Sequence, residues 1–161
     1  MRYGSTSFQK PWEYLPSRST EILSLTDFLV PNELEAQALT GLKMKKDQDL
    51  PKIATKLLKM GVKNVVITLG PEGLYFKNRN EEIRMKALKV KVVDTTAAGD
   101  AFLGGFACGL AEGKPIQEAL RFANAAGALA TTQLGAQPSL PSRKEVETLA
   151  KNNFREGKSC P

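Results

Sequence analysis

The sequence predicts an α/β domain of three layers, with helices on both faces of a largely parallel sheet. Short β-branched or apolar runs alternate with segments of helical periodicity, and Gly, Pro, Asn and Asp punctuate the breaks between them. No internal repeat competes with that pattern. A third observation is local. The stretch Asp94-Thr95-Thr96-Ala97-Ala98-Gly99-Asp100 joins an alternating apolar and charged run to an apolar, Ala-rich one, a strand-to-helix junction of the kind α/β folds use.

Residues 1–24 stand apart. They are rich in Ser and Thr, carry Pro11 and Pro16, and show little periodicity, which predicts a flexible or poorly packed lead-in. The domain proper is expected over 25–155, with a polar tail at 156–161. Asp27 to Val30 reads as a short buried strand, and Pro31 turns the chain into a helix from Glu33 to Leu39 that Gly41 stops. Asp49 is expected to cap the next helix, with Pro51 in its first turn and Ile53, Ala54, Leu57 and Leu58 as its apolar face before Gly61.

Val62 to Leu69 is β-branched and reads as a strand closed by Gly70-Pro71. Leu74 to Phe76 is a second strand, and a short third lies near Ile83 to Met85. Leu88 to Val93 alternates apolar and charged residues and reads as the strand before the junction. Ala101 to Glu112 reads as a buried helix. Pro115 opens a long helix whose Ala119, Ala123, Ala126, Gly127 and Ala130 make a narrow small-residue face fit for close packing. Gly135 is expected to act as that helix's left-handed C-cap, and Ser142-Arg143-Lys144-Glu145 as the capping box of a last helix.

Composition excludes several chemistries. Hydrophobic residues at 42% and charged residues at 25% are ordinary for a globular chain of 161 residues. No apolar run approaches the ~20 residues that span a bilayer, so no membrane partner is expected. The net charge of +6 is carried by lysines spread along the chain, with no aromatic interleaving, so a solvated face is favoured over nucleic acid. With no histidine, Ser-His-Asp and Cys-His catalysis and the usual zinc sites are excluded. Gly109 to Pro115 is one residue short of a P-loop and ends in proline, and no GxGxxG is present. Cys108 and Cys160, in a helix and a polar tail, point to a reducing interior: cytoplasm, or nucleus.

The junction carries the chemistry. The first N–H groups of a helix lack internal partners, and the helix dipole favours negative charge there, which suits a phosphate. Small residues let a ligand approach the backbone closely. Asp100 beside them is placed to accept a proton, and phosphoryl transfer needs both parts. A Gly-Asp pair alone is more commonly an N-cap; the whole heptapeptide at a strand-to-helix junction is far more specific.

That heptapeptide resembles the second signature of the ribokinase-like sugar kinases, the phosphofructokinase-B family. The resemblance runs from about residue 20 to residue 155, the C-terminal, nucleotide-binding half of such a kinase. It implies a ribokinase-like α-β-α sheet that is truncated, without the N-terminal strands, the sugar-recognition residues or the β lid. Low solubility or self-association is then expected, through an unpaired strand edge and open apolar helix faces.

The resemblance implies ATP-dependent phosphorylation of a pentose, D-ribose at its 5-hydroxyl, with Asp100 as base and substrate contact and the Ala97, Ala98 and Gly99 backbone as anion hole. Asn32, in Asn32-Glu33-Leu34-Glu35, would contact nucleotide and Glu35 would order Mg2+ through water; read locally, the same four residues are a capping box. Thr68, Leu69, Gly70, Pro71, Glu72 and Gly73 would line the nucleotide pocket, or be a plain turn. Asn124 would lie near the base, or be a lone amide. Asp94, Thr96, Ala130, Gln133, Gly135 and Ser139 would cage K+, although Asp94 is equally a turn former. Partners would be ATP and a small sugar, with the chain as a homo-oligomer or paired with a full-length kinase. The alternative is a catalytically silent nucleotide-binding fragment.

Overall fold

The computed structural model describes residues 18–156, with side chains from 21 to 152. Six helices occur among them: α1 Arg18–Ser24, α2 Glu33–Thr40, α3 Leu50–Lys59, α4 Ala98–Ala111, α5 Ile116–Ala130 and α6 Arg143–Glu156. Four strands, β1 Phe28–Leu29, β2 Asn64–Thr68, β3 Leu74–Lys77 and β4 Glu82–Met85, form a mixed sheet in the order β1-β2-β3-β4. No described helix is long and apolar enough to cross a membrane. The chain divides into two compact units, residues 1–68 with 75–82, and residues 69–74 with 83–161.

In the first unit β1 and β2 run parallel, Phe28 opposite Asn64 and Leu29 opposite Val65. Val65, Val66 and Ile67 are fully buried, and so are Ala54 and Leu57 of α3. The spacing of Leu50, Ile53, Ala54 and Leu57 puts them on one face of α3, so that helix covers the strand while its lysines stay in water. Met60 and Gly61 end α3 as expected; a Cβ on Gly61 would stand 2.9 Å from the Ser24 Cα. Two expectations need correction here. Residues 18–24 are helical, with Leu23 buried, where an aperiodic lead-in was expected; residues 1–17 and 157–161 lie outside the described ones. Asp49 precedes α3 but does not cap it. A 3-10 turn at Asp47–Asp49 turns its carboxylate back onto the amides of Lys45 and Lys46, at 2.9 and 3.2 Å.

In the second unit α4 and α5 pack through their backbones. A Cβ on Gly105 would lie 2.9 Å from the Ala126 Cβ, and one on Gly109 would lie 2.9 Å from the Ala119 Cβ. The small-residue face of α5 thus has its counterpart on α4, and a methyl group on either glycine would have no room. Phe122, Ala125 and Ala126 of α5 share a core cluster with Val146 of α6, and Leu88 and Leu149 pack against it. At the start of α6 the Glu145 carboxylate accepts the Ser142 amide at 2.7 Å; the Ser142 hydroxyl donates to the same oxygen at 2.6 Å. One arm of the expected capping box is therefore made. Arg143 forms a bidentate pair with Glu112 just beyond α4.

Three readings of this unit are corrected. Leu88 to Val93 is not a strand: it has no ladder partner among the described residues, and Val92 and Val93 are 59% and 56% exposed. The Val93 and Asp94 amides donate instead to the Thr131 carbonyl at the end of α5, at 2.7 and 3.1 Å. α5 stops at Ala130 with Thr131 as C-cap, so Gly135 is left-handed, at φ 89°, but sits in the turn beyond. α4 is buried on one face only. Phe102 and Phe106 are inside, Leu103 is 50% exposed, and Cys108 is an exposed free thiol.

Candidate functional site

α4 begins inside the heptapeptide, at Ala98, three residues earlier than its apolar run suggests. Its N-cap, Ala97, is left-handed at φ 64°, and it is the only non-glycine residue with positive φ among those described. An L-residue there costs about 1–2 kcal/mol. The conformation folds the chain sharply at the helix mouth. The Ala98 amide closes onto Thr95 O at 3.2 Å and the Ala101 amide onto Ala97 O at 2.9 Å. The amides of Ala97, Gly99 and Asp100 have no acceptor among the described residues. Gly99 and Asp100 are exposed, and a Cβ on Gly99 would meet nothing within 4 Å. The turn therefore presents open donors beside a carboxylate, in room that a ligand can fill.

A network of hydrogen bonds holds this turn. The Asp94 carboxylate accepts the Thr96 amide and hydroxyl at 2.9 and 2.7 Å through one oxygen. Its other oxygen takes the Gly135 amide at 2.9 Å. These bonds, the Thr96 amide first and Gly135 next, hold the Asp94 carboxyl below the usual carboxylate range. Thr96, Gly135 and Thr131 at the end of α5 are thus drawn around Asp94. In the same turn the buried Ser139 donates its hydroxyl to Ala136 O at 2.8 Å, and Gln133 is exposed. Asn124 is half-buried on α5, and its Nδ2 donates to Lys86 O at 2.8 Å, tying that helix to the segment after β4.

The loop Leu69 to Gly73 is a 3-10 turn at Gly70–Glu72, closed by the Leu69 amide on Gly73 O at 2.8 Å. Gly73 has φ 96°, and a Cβ on it would lie 2.1 Å from Met85 O, so only glycine fits. Arg84 donates to the carbonyls of Glu72 and Leu74, at 2.7 and 3.1 Å. Sequence reasoning had no signal for Arg84, because an exposed arginine in a short strand looks like any other surface charge.

In the first unit Asn32 and Thr68 meet: they form a parallel bridge at the carboxyl ends of β1 and β2, with the Thr68 amide on Pro31 O at 3.0 Å. Ligands commonly bind at the carboxyl ends of such strands. The capping box is complete, the Glu35 amide on Asn32 Oδ1 at 2.9 Å and the Asn32 amide on Glu35 Oε2 at 2.8 Å. Among the described residues no group of three His, Cys, Asp or Glu converges on a metal position.

Known proteins bear on this arrangement. The family model described as pfkB family carbohydrate kinase matches residues 9–143. The ribokinase of Haemophilus influenzae is 43% identical over 128 residues, covering 80% of this chain and 42% of its own length. Among solved structures, Arabidopsis thaliana ribokinase complexed with ribose and ATP is 40% identical with a TM-score of 0.78, over 82% of this chain and 43% of that one. Escherichia coli phosphofructokinase-2 in complex with potassium is 28% identical with a TM-score of 0.76, over 85% of this chain and 45% of that one. The chain spans less than half the length of these relatives. The match over most of this chain, together with the open helix mouth at Asp100, places the chain in the pfkB family of carbohydrate kinases.

Proposed function

We propose that the chain transfers the terminal phosphoryl group of ATP to a sugar hydroxyl, with D-ribose and its 5-hydroxyl as the substrate. The observation that carries this reading is the mouth of α4, where amides without an acceptor among the described residues stand beside the exposed Asp100. The attacking hydroxyl oxygen bonds to the terminal phosphorus, its proton passes to the Asp100 carboxylate, and the bond to the bridging oxygen of ADP breaks. The Ala97, Ala98 and Gly99 backbone faces the charge on the moving group. Ala98 contributes less, since its amide is already turned toward Thr95 O. Ribose is preferred over other alcohols because relatives 43% and 42% identical to this chain are named ribokinases.

Asn32, Thr68 and Leu69 to Gly73 serve as nucleotide contacts, with Asn124 near the base. Glu35 suits Mg2+ held largely by water and phosphate, since no all-protein cage is present among the described residues. Asp94, Thr96, Ala130, Gln133, Gly135 and Ser139 supply the hard oxygens that suit K+, an ion whose charge would steady the turn. The cytoplasm is the compartment proposed. Incubation with ATP and ribose, followed by phosphorus NMR, tests the reading: turnover that Asp100→Asn abolishes is expected. Turnover that survives the substitution sinks it.

A second reading is a silent nucleotide-binding chain that pairs with a full-length kinase. The Asn32–Thr68 bridge favours it, since a nucleotide contact there does not need Asp100. ATP binding by calorimetry without turnover would select it.

A further inference from the structure

We propose that the groove between α3 and the segment following α2 docks an acidic helix of a partner protein. The groove holds about 520 Å3 and is lined by Leu42, Pro51, Lys52, Thr55, Lys56 and Lys59. Its floor is carbon, from Leu42, Pro51 and the aliphatic stems of the lysines. Lys52, Lys56 and Lys59 recur at helical spacing, so one face of α3 carries all three.

The three ammonium groups do different things. Lys56 donates to Thr40 O at 2.5 Å, closing the last turn of α2. Lys52 and Lys59 are exposed on either side of it. Seven residues of helix separate them by roughly 10 Å, so acidic residues seven apart on a facing helix would meet both.

Charge selects the partner. Residues 41–63 hold seven lysines and two aspartates, so nearly all of the chain's net charge of +6 resides there. An apolar floor under a cationic rim is the complement of an amphipathic acidic helix with one large aliphatic side chain. Among the described residues no aromatic lines the groove, which gives bases no platform there on which to stack. This surface uses none of the residues assigned to the kinase reaction and stands apart from that reading.

The test is fluorescence anisotropy of the full chain with a labelled synthetic helix carrying leucine between glutamates seven apart. Saturable binding is expected, weakened at least about tenfold by Lys52→Glu with Lys59→Glu and by Leu42→Asp alone. A peptide with lysines in place of the glutamates should bind the charge-reversed chain. Should Lys52→Glu with Lys59→Glu melt early, Lys52→Gln with Lys59→Gln takes its place, with a smaller loss expected. Equal binding by wild type and variants overturns the proposal, and so does no binding at all. Tighter binding of poly-uridylate or of phosphatidylserine vesicles than of the peptide overturns it too, by showing a general polyanion surface.

Discussion

The Asp94 carboxylate accepts the Gly135 amide at 2.9 Å, across 41 residues of sequence. Because its other oxygen holds Thr96, one side chain couples the mouth of α4 to the turn after α5. The left-handed Ala97 lies one residue further on, so the link restrains the sharpest bend in the site.

Asp94 makes acid stability its first observable. Its carboxyl is held below the ordinary value of 3.8, so the ionised form is the one the fold prefers. The stabilisation is fully present above that value and is lost as pH falls through the lower, folded-state value. Melting temperatures of wild type and Asp94→Asn should therefore differ at neutral pH and converge below about pH 4. A constant difference down to pH 2 would contradict the assignment.

Ala97 should discriminate among substitutions by shape. Glycine removes about 1–2 kcal/mol of left-handed strain but restores about 0.5–1 kcal/mol of unfolded-chain freedom, so Ala97→Gly should stay within about 1.5 kcal/mol of wild type. Ala97→Val should lose more than that and should abolish ATP binding, as urea titration and calorimetry would show.

Neighbouring glycines on α4 should respond in opposite directions. Gly105→Ala places a methyl 2.9 Å from the Ala126 Cβ and should cost about 1–3 kcal/mol. Gly104→Ala meets nothing within 4 Å and should gain up to about 1 kcal/mol from helix propensity. Equal effects in urea denaturation would mean that the α4–α5 approach is looser than described.

Asn32 and Glu35 have two assigned roles that mutation can separate. Asn32→Ala should cost about 1 kcal/mol through the lost cap. Glu35→Gln keeps an acceptor for the Asn32 amide, so it should leave stability nearly unchanged while weakening ATP binding in the presence of magnesium only. Loss of stability without loss of magnesium dependence would leave the capping role alone.

Val92, Val93 and Leu103 of the second unit, each at least half exposed, predict self-association. Sedimentation velocity should show mass rising with concentration, and Val92→Thr with Leu103→Lys should reduce it. A single monomeric species at high concentration would refute the expectation.

Much of the architecture was legible along the chain because its cause is local. Gly41 ends α2, Pro51 stands in the first turn of α3, and the apolar spacing of Ile53, Ala54 and Leu57 defines a buried face that Leu50 completes where Leu58 was expected. The heptapeptide was legible for the same reason: a helix mouth is made by consecutive amides, and Asp100 is covalently beside them. Leu88 to Val93 misled because alternation specifies a half-buried extended chain without specifying a neighbour to pair with. Gly135 was placed correctly in backbone conformation and wrongly in role, since where α5 stops is set by Thr131 and its bonds to Val93 and Asp94.

By itself, then, the order of residues determined most of the element types, the donor-rich mouth of α4 and the small face of α5, all consequences of neighbours within a few positions. Only tertiary structure decided that Asp94 would bond to Gly135, that Asn124 would hold Lys86, and that Asn32 would meet Thr68. Those pairings join residues tens of positions apart, and a hydrogen bond across such a distance exists only once packing has brought donor and acceptor together.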